Sequence, residues 1–384
     1  MLYWQYGFIQ KKGYSMNKLP IAAAGIVAML TTSVLFAYAE PSEGITPAEN
    51  DAVHYCRTHL AEEDQLLYDA LLACALSEDP YEKGAEFQVR TDPAGDEFKA
   101  AFHRCYNALL FDHPELFWLY AGDSSFQYTY RRKLLDEGTY YIAFQLTGSF
   151  PERDAQLEAL KNAADTFLSE IDLDQSAPQV ALQIHDKLID LVSYDREAAA
   201  SEDRDLAHTA YGALVANSRG EANRAVCDGY SYAYEYLLQK AGIRSTVVSG
   251  RAGDDEETAG PHSWNLVELN GQWYEVDATW NDISAEEALD TETDYSEIAE
   301  EAMNNAWYTN RLTHYLFNVT TAQISFFEPG SRYRYTNDRG WVSFLGDSVH
   351  IRHSEDETDE TGDYMTPLAP IAEGTEYSFD NLND

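Results

Sequence analysis

The stretch HSWNLVELNGQWYEVDATW, residues 262–280, decides the fold. Two alternating runs, His262 to Leu269 and Gln272 to Thr279, flank the pair Asn270-Gly271. Asn-Gly between two such runs is the strongest short-range signal for a β-hairpin, because both residues tolerate the positive φ of a type I′ turn. The sequence therefore predicts an antiparallel hairpin with a two-residue turn.

This turn fixes the register of the hairpin, in which Trp264 faces Asp277 and His262 faces Thr279. Cross-strand partners share one face of a sheet, and so do alternate residues along one strand. His262 and Asp277 are then diagonal neighbours on the same face. We expect their side chains to form a hydrogen bond.

A cysteine lies at the predicted start of an amphipathic helix. Apolar and aromatic residues recur at helical spacing across residues 230–241, and Gly242 is the C′ residue that ends the helix. Cys227 then lies at the helix N-terminus, where unpaired N–H groups and the helix dipole favour the nucleophilic thiolate and can stabilise an oxyanion. A lone cysteine is more often inert packing, so this one is informative only together with His262 and Asp277.

Cys227, His262 and Asp277 together have the composition of a nucleophilic triad. An acid orients the imidazole, and the imidazole removes the thiol proton. A zinc site is the less favoured alternative, because these three residues offer no obvious fourth protein ligand, although an open catalytic site needs only three. We expect no metal and no cofactor.

Acidic residues dominate the charge of the chain. Its 384 residues include 66 acidic and 26 basic side chains, which gives a formal net charge of −40. Such a field repels phosphate backbones, so we expect no nucleic-acid partner. It favours a lysine-rich or amine co-substrate, although a solvated acidic surface is the plainer explanation. The acidic residues 254–257 near His262 would draw a lysine amine toward the site.

The first 39 residues have the features of an export signal. They contain three lysines and no acidic residue, and an uncharged run from residue 19 to residue 39 ends in Ala37-Tyr38-Ala39. This pattern is typical of a signal peptide, and an uncleaved membrane anchor is the alternative because the run is long enough to span a bilayer. We expect a secreted or extracellular protein whose only membrane attachment is this segment.

Turn and linker signals divide the remainder into three parts. We predict an N-terminal α+β domain at residues 40–175, a catalytic domain at 176–330, and a short β-rich extension with an acidic tail at 331–384. The linker is placed at Gln175-Ser176-Ala177-Pro178. Cys56, Cys74 and Cys105 allow either a disulfide to Cys105 or three free thiols.

Hydrophobic periodicity predicts the main elements of these parts. The predicted helices cover residues 46–76, 98–111, 151–171 and 208–215, and the predicted strands cover residues 116–120, 126–131, 140–146, 245–250, 333–335, 341–345 and 349–352. His185 lies beside Asp186 on another helix, and we assign it a structural role.

Several blocks in order resemble the transglutaminase-like superfamily in its bacterial extracellular form. They are AYGAL at 210–214, AVCDGY at 225–230, AGI at 241–243, HSWN at 262–265 and WYEVDATW at 273–280. The shorter pieces IHD at 184–186, YD at 194–195 and YLF at 315–317 also resemble it, so the resemblance covers roughly residues 178–320. DHPELFW at 112–118 resembles an N-terminal extension found beside this domain in some bacterial proteins.

The resemblance implies an α+β fold with a papain-like core, in which the nucleophile helix packs on an antiparallel sheet. It implies that Cys227 is the nucleophile, His262 the general base and acid, and Asp277 the orienting carboxylate. Tyr211 is a candidate for the second oxyanion donor. The polar insertion at 218–224, just before the nucleophile block, departs from the family pattern.

The implied reaction is acyl transfer from a protein or peptide amide through a thioester on Cys227. Water would resolve the thioester in a protease, amidase or deamidase, and a lysine amine would resolve it in a cross-linking transglutaminase. Both outcomes stay open, with hydrolysis preferred. The alternative from another class is a catalytically silent binding or cell-surface scaffold module with the same fold.

Overall fold

The structure is a computed structural model that describes residues 52–122, 124–133, 138–201, 203–283, 297–353 and 369–382. The predicted signal segment, the start of the helix predicted at residue 46 and the acidic run at 355–363 lie outside these residues. Within them, no helix is long and apolar enough to cross a membrane.

The helices are α1 (Tyr55–His59), α2 (Glu62–Ala75), α3 (Asp96–Asp112), α4 (Phe117–Ala121), α5 (Arg153–Leu168), α6 (Ala177–Leu191), α7 (Arg196–Ala199), α8 (Ala210–Leu214), α9 (Cys227–Lys240), α10 (Ala278–Asn281), α11 (Glu297–Met303), α12 (Ala306–Leu312), α13 (Thr321–Ser325) and α14 (Phe379–Leu382), with a 3₁₀ turn at Leu206–His208. The strands are β1 (Phe87–Val89), β2 (Ser125–Arg132), β3 (Tyr140–Thr147), β4 (Ser193–Tyr194), β5 (Arg224–Ala225), β6 (Ser245–Gly253), β7 (Gly260–Leu269), β8 (Gln272–Val276), β9 (Phe317–Val319), β10 (Tyr335–Asn337), β11 (Gly340–Val342) and β12 (Val349–Arg352).

A five-stranded antiparallel sheet in the order β12-β6-β7-β8-β9 forms the centre of the described structure. The predicted β7–β8 hairpin is confirmed: its ladder runs from Leu269↔Gln272 to Asn265↔Val276. Asn270 and Gly271 have φ values of 52° and 81°, as a type I′ turn requires.

The prediction that the second run continues as a strand to Thr279 is wrong. Strand β8 ends at Val276, and the Asp277 side chain accepts the backbone N–H of Trp280 as the N-cap of α10. The predicted strand pairs of Trp264 with Asp277 and of His262 with Thr279 therefore do not form. An aspartate that can cap a helix competes with continued strand pairing, and here the cap prevails.

Helix α9 packs across β6 and β7 and begins at Cys227, as predicted. Gly242 has a φ of 77° and ends the helix. One apolar core contains residues of α9, of the central sheet and of the chain before the predicted linker at 175–178. The N-terminal region also contacts this core by polar groups: the Gln239 side chain donates to the carbonyl of Asp112 at 3.0 Å.

Three local predictions in the N-terminal half need correction. The helix predicted up to residue 76 is interrupted, because Leu60 and Ala61 are extended between α1 and α2. Residues 116–120 are mostly helix α4 rather than a strand; a short apolar run buried on all sides has no period that separates the two. The helix predicted at 208–215 is a 3₁₀ turn followed by α8, which Thr209 caps.

Two further predictions concern the cysteines and strand β12. All four cysteines are free and buried, so the alternative of free thiols applies rather than a disulfide to Cys105. Strand β12, assigned from sequence to the C-terminal extension, pairs with β6 at the edge of the central sheet. This pairing brings residues 349–352 to the catalytic candidates.

Candidate active site

Cys227 lies at the first turn of α9 and is 8% exposed. Its thiol donates to Asp228 Oδ1 at 3.4 Å, and the hydroxyl of Ser263, the residue that follows His262, donates to the same oxygen at 3.1 Å. Burial, followed by the negative charge of Asp228, raises the pKa of the thiol well above its ordinary value. Burial and Asp228 thus oppose the thiolate form that the helix N-terminus favours.

His262 and Asp277 form the hydrogen bond that the hairpin predicts. His262 Nε2 lies 2.7 Å from Asp277 Oδ2, and both side chains are buried. Asp277 Oδ1 accepts the N–H of Trp280 at 3.0 Å, so the carboxylate also holds the start of α10. Burial alone would raise the pKa of Asp277, but the contacts with His262 and His350 hold it well below its usual range. The aspartate is ionised and can orient an imidazole.

His350 is a second histidine on the same carboxylate, and the sequence analysis missed it. Its Nε2 lies 2.8 Å from Asp277 Oδ2, and its ring centre lies 5.1 Å from that of Trp264 and 4.8 Å from that of Trp280. The sequence Val349-His350-Ile351-Arg352 marks a strand with His350 on one face. Nothing in that local pattern says which strand it pairs with.

Asp228 is a buried carboxylate with four partners. Oδ1 accepts the hydroxyl of Ser263 at 3.1 Å in addition to the thiol, and Oδ2 accepts the hydroxyl of Tyr120 at 2.5 Å and contacts His208 Nδ1 at 3.2 Å. Burial opposes ionisation, yet the hydrogen bond and charge of His208 lead the effects that lower the pKa of Asp228 to about 2. A fixed negative charge therefore lies directly beside the thiol.

The tyrosine near the nucleophile is Tyr194 rather than the predicted Tyr211. Tyr211 packs against Phe117, with 5.1 Å between ring centres. Burial raises the pKa of Tyr194, and the charges of Cys227, Asp228 and Asp277 add to this effect. Tyr194 pairs with Ala225 on β5 and packs against the apolar cluster that contains Val226, the residue before Cys227. Its only sequence signal was the Tyr194-Asp195 match to the family pattern.

A second cluster lies behind α10 and contains His185, which the sequence analysis assigned to structure. His185 Nδ1 lies 3.0 Å from Asp186 Oδ1, and His314 Nε2 lies 2.6 Å from the same oxygen. His185 Nε2 contacts the Asn281 amide at 3.0 Å, and Asn281 accepts the N–H of Leu316. This network holds the end of α10 in place.

The described residues contain two trios of potential metal ligands, and within each trio the ligand atoms lie within 4.8 Å of one another. The trios are His262, Asp277 and His350, and His185, Asp186 and His314. In both trios each histidine is hydrogen-bonded to the carboxylate through a ring nitrogen. This is the geometry of oriented imidazoles, and we assign no metal or cofactor to either trio.

Residues 165–278 match the family model described as the Transglutaminase-like superfamily. The chain contains a transglutaminase-like domain, and its fold is mixed helix and sheet with a transglutaminase-like core. The match includes Cys227, His262 and Asp277. It does not include His350.

Curated relatives match over a short segment. Kyphoscoliosis peptidase of Mus musculus is 30% identical over 96 residues, and the Homo sapiens protein is 29% identical over 96 residues. Each match covers 23% of this chain and 14% of the relative, so the chain spans a small part of the length of these proteins.

Two solved structures are similar at low identity. A crystal structure of a TGase is 14% identical with a TM-score of 0.27 and covers 58% of this chain and 55% of its own. A candidate cysteine protease from Cytophaga hutchinsonii is 14% identical with a TM-score of 0.25 and covers 41% of this chain and 65% of its own.

Proposed function

We propose that the protein is a cysteine-dependent acyl-transfer enzyme in which Cys227 is the nucleophile, His262 the base and Asp277 the orienting acid. The observation that carries the proposal is the buried 2.7 Å contact between His262 Nε2 and Asp277 Oδ2. His262 is next in sequence to Ser263, which donates to the same Asp228 oxygen as the Cys227 thiol. An oriented imidazole beside a thiol is the arrangement that nucleophilic catalysis by cysteine requires.

The raised pKa of Cys227 determines how the first step starts. The thiol donates to Asp228 Oδ1, so His262 takes this proton as the sulfur attacks the carbonyl carbon of an amide. A C–S bond forms and the carbonyl oxygen becomes an oxyanion, for which the backbone N–H of Cys227 and the hydroxyl of Tyr194 are the candidate donors. Asp277 stabilises the imidazolium meanwhile.

The oxyanion then collapses, the C–N bond breaks, and His262 returns its proton to the leaving amine. The product is a thioester on Cys227, which water or a second amine resolves. We propose a protein or peptide amide as substrate and prefer hydrolysis, supported by the curated relatives, which are named peptidases. The net charge of −40 supports a cationic co-substrate if cross-linking occurs. Residues 1–39 support secretion.

The test is mass spectrometry of the full chain after incubation with a mixed peptide library and a labelled primary amine. We expect an acyl adduct on Cys227, with ammonia or amine released, and none in Cys227→Ala. Cys74→Ala is the matched control, because it removes a buried thiol outside the site and should leave the adduct intact. Equal product from the parent and Cys227→Ala would contradict the proposal.

A silent binding or scaffold module remains the second candidate. The observation that favours it is the Cys227 thiol itself, which is buried and donates to Asp228. Under this alternative the library leaves no adduct on Cys227, while a peptide is retained by the parent and by Cys227→Ala with equal affinity.

A further inference from the structure

We infer that His350 is a positioning residue, which shares the Asp277 carboxylate with His262 and fixes it for the chemistry of Cys227. This inference rests on the proposed function, because it assigns His350 a part in the same site. It also extends the site beyond the transglutaminase-like match, which ends at residue 278.

The hydrogen bonds carry the first step. His262 Nε2 and His350 Nε2 lie 2.7 and 2.8 Å from the same atom, Asp277 Oδ2. An ionised carboxylate can only accept, so both nitrogens must donate. Each neutral imidazole then has its proton on Nε2 and its lone pair on Nδ1. For His262, this is the tautomer whose Nδ1 can receive a proton.

His350 differs from His262 at its second nitrogen. His350 Nδ1 is buried and has no hydrogen-bond partner among the described residues. A lone pair without a donor costs less than a buried N–H without an acceptor would, so the Nε2–H tautomer fits this site. The bond from His350 Nε2 to Asp277 Oδ2 is therefore the hydrogen bond that orients the His350 ring.

The sheet holds His350 rigidly. His350 pairs with Ala252 of β6, and two pairs further along the ladder Arg352 pairs with Gly250, where an added Cβ would approach the carbonyl oxygen of Ile351 to 2.3 Å. The absence of a side chain at Gly250 thus lets β12 approach β6 closely. Arg352 then forms an ion pair with the buried Glu275.

The charged and titratable groups that act on His350 lie on β7, on β8 and at the start of α10. Asp277 and His262 face it directly, and Glu275 also acts on it. Glu275 is neutralised by Arg352 and accepts the indole N–H of Trp264 at 2.8 Å. Asp277 is therefore the carboxylate that His350 binds. It accepts hydrogen bonds from three donors: His262, His350 and the N–H of Trp280.

Without the His350 donor, Asp277 should interact more strongly with its two other donors, His262 and the N–H of Trp280. A carboxylate that shares its charge less stabilises the His262 imidazolium more, so the pKa of His262 should rise. The base form of His262 then appears at higher pH, and Cys227 acylation should lose activity on the acid side. A histidine that only fills space would not change either quantity.

The test uses the full chain labelled with ¹⁵N-histidine, in which NMR reports the tautomer and pKa of each imidazole. His350→Phe and His350→Asn lack a donor at the position of Nε2, whereas His350→Gln retains one. We expect the pKa of His262 to rise by on the order of one unit in the first two variants and to return most of the way in His350→Gln. Arg352→Lys is the control on the same strand and should leave His262 unchanged.

Two results would overturn the inference: an unchanged His262 pKa in folded His350→Asn, or an equal shift in Arg352→Lys. The polar Asn variant keeps the test decisive if His350→Phe does not fold. NMR titration needs no substrate, so the inference can hold while the proposed function fails. In that case His262 shifts as expected but the parent forms no Cys227 adduct.

Discussion

In the part of the chain that the structure describes, one carboxylate oxygen lies between two imidazoles in two groups: His262, Asp277 and His350, and His185, Asp186 and His314. We name them the Asp277 group and the Asp186 group. Their exposure differs, since the side chain of Asp186 is 46% exposed and that of Asp277 is 1% exposed. Their surroundings differ more. In the Asp277 group, His262 precedes Ser263, which donates to the same Asp228 oxygen as the Cys227 thiol. The outer nitrogens of the Asp186 group instead contact the Asn281 amide and the carbonyl of Asn310.

The comparison shows that a histidine–aspartate pair is not a catalytic signal by itself. In the Asp186 group both imidazoles use both ring nitrogens for structure, so neither has a nitrogen left to accept a substrate proton. The Asp186 group supports the Asp277 group through three contacts. His185 contacts the Asn281 amide, and Asn281 accepts the N–H of Leu316. The carbonyl of Leu316 in turn accepts the N–H of Asp277 at 3.0 Å. One group is positioned to react, and the other positions it.

The largest expected effect separates the two groups by activity. His262→Gln should lower the rate of Cys227 acylation by about 10³-fold or more, because no base remains for the buried thiol. His185→Gln should retain activity within about tenfold, since it removes no group that meets the substrate. The measurement is single-turnover adduct formation on folded protein. Equal losses in the two variants would remove the distinction between the groups.

Stability should show the reverse order. His185→Leu removes both hydrogen bonds of a fully buried imidazole and leaves Asp186 and Asn281 short of a partner, so it should lower the free energy of unfolding by about 2–3 kcal/mol. His262→Leu should cost less, because Asp277 retains the donors His350 and Trp280. Urea unfolding of both variants checks the order. A larger loss in His262→Leu would contradict it.

The thiol beside the Asp277 group offers a third test. Asp228→Asn removes the charge that contributes to the raised pKa of Cys227, so carboxamidomethylation of Cys227 at pH 8 should accelerate by about tenfold. Ser263→Ala is the matched control, because it removes a hydroxyl partner of Asp228 and leaves the charge in place. A rate that does not change in Asp228→Asn would show that burial alone protonates the thiol.

The smallest expected effect concerns acid stability. The pKa values of Asp277 and Asp186 are both below the ordinary value, so each carboxylate adds stability above about pH 4, and this is lost as pH falls further. Asp186→Asn should therefore flatten the loss of stability below pH 4 only slightly, because solvent screens its exposed side chain. Asp277→Asn should flatten it more. Urea midpoints from pH 5 to pH 2 test this order.

The sequence by itself determined the β7–β8 hairpin, the start of α9 at Cys227, and the contact between His262 and Asp277. These features depend on local signals: an Asn-Gly turn, a helical period and an alternation, each confined to one short segment whose conformation short-range sterics fix. Where the local signal was ambiguous, at residues 116–120, the prediction failed.

Only the tertiary structure decided that His350 joins Asp277, that Asp228 holds the thiol, and that Tyr194 rather than Tyr211 lies near it. His350 reaches the site through a strand pair between β12 and β6, whose partners are far apart in sequence. An alternating sequence predicts which face of a strand is buried, but it does not predict which strand it pairs with. The raised pKa of Cys227 likewise follows from its burial and its contact with Asp228, and both of these exist only in the packed molecule.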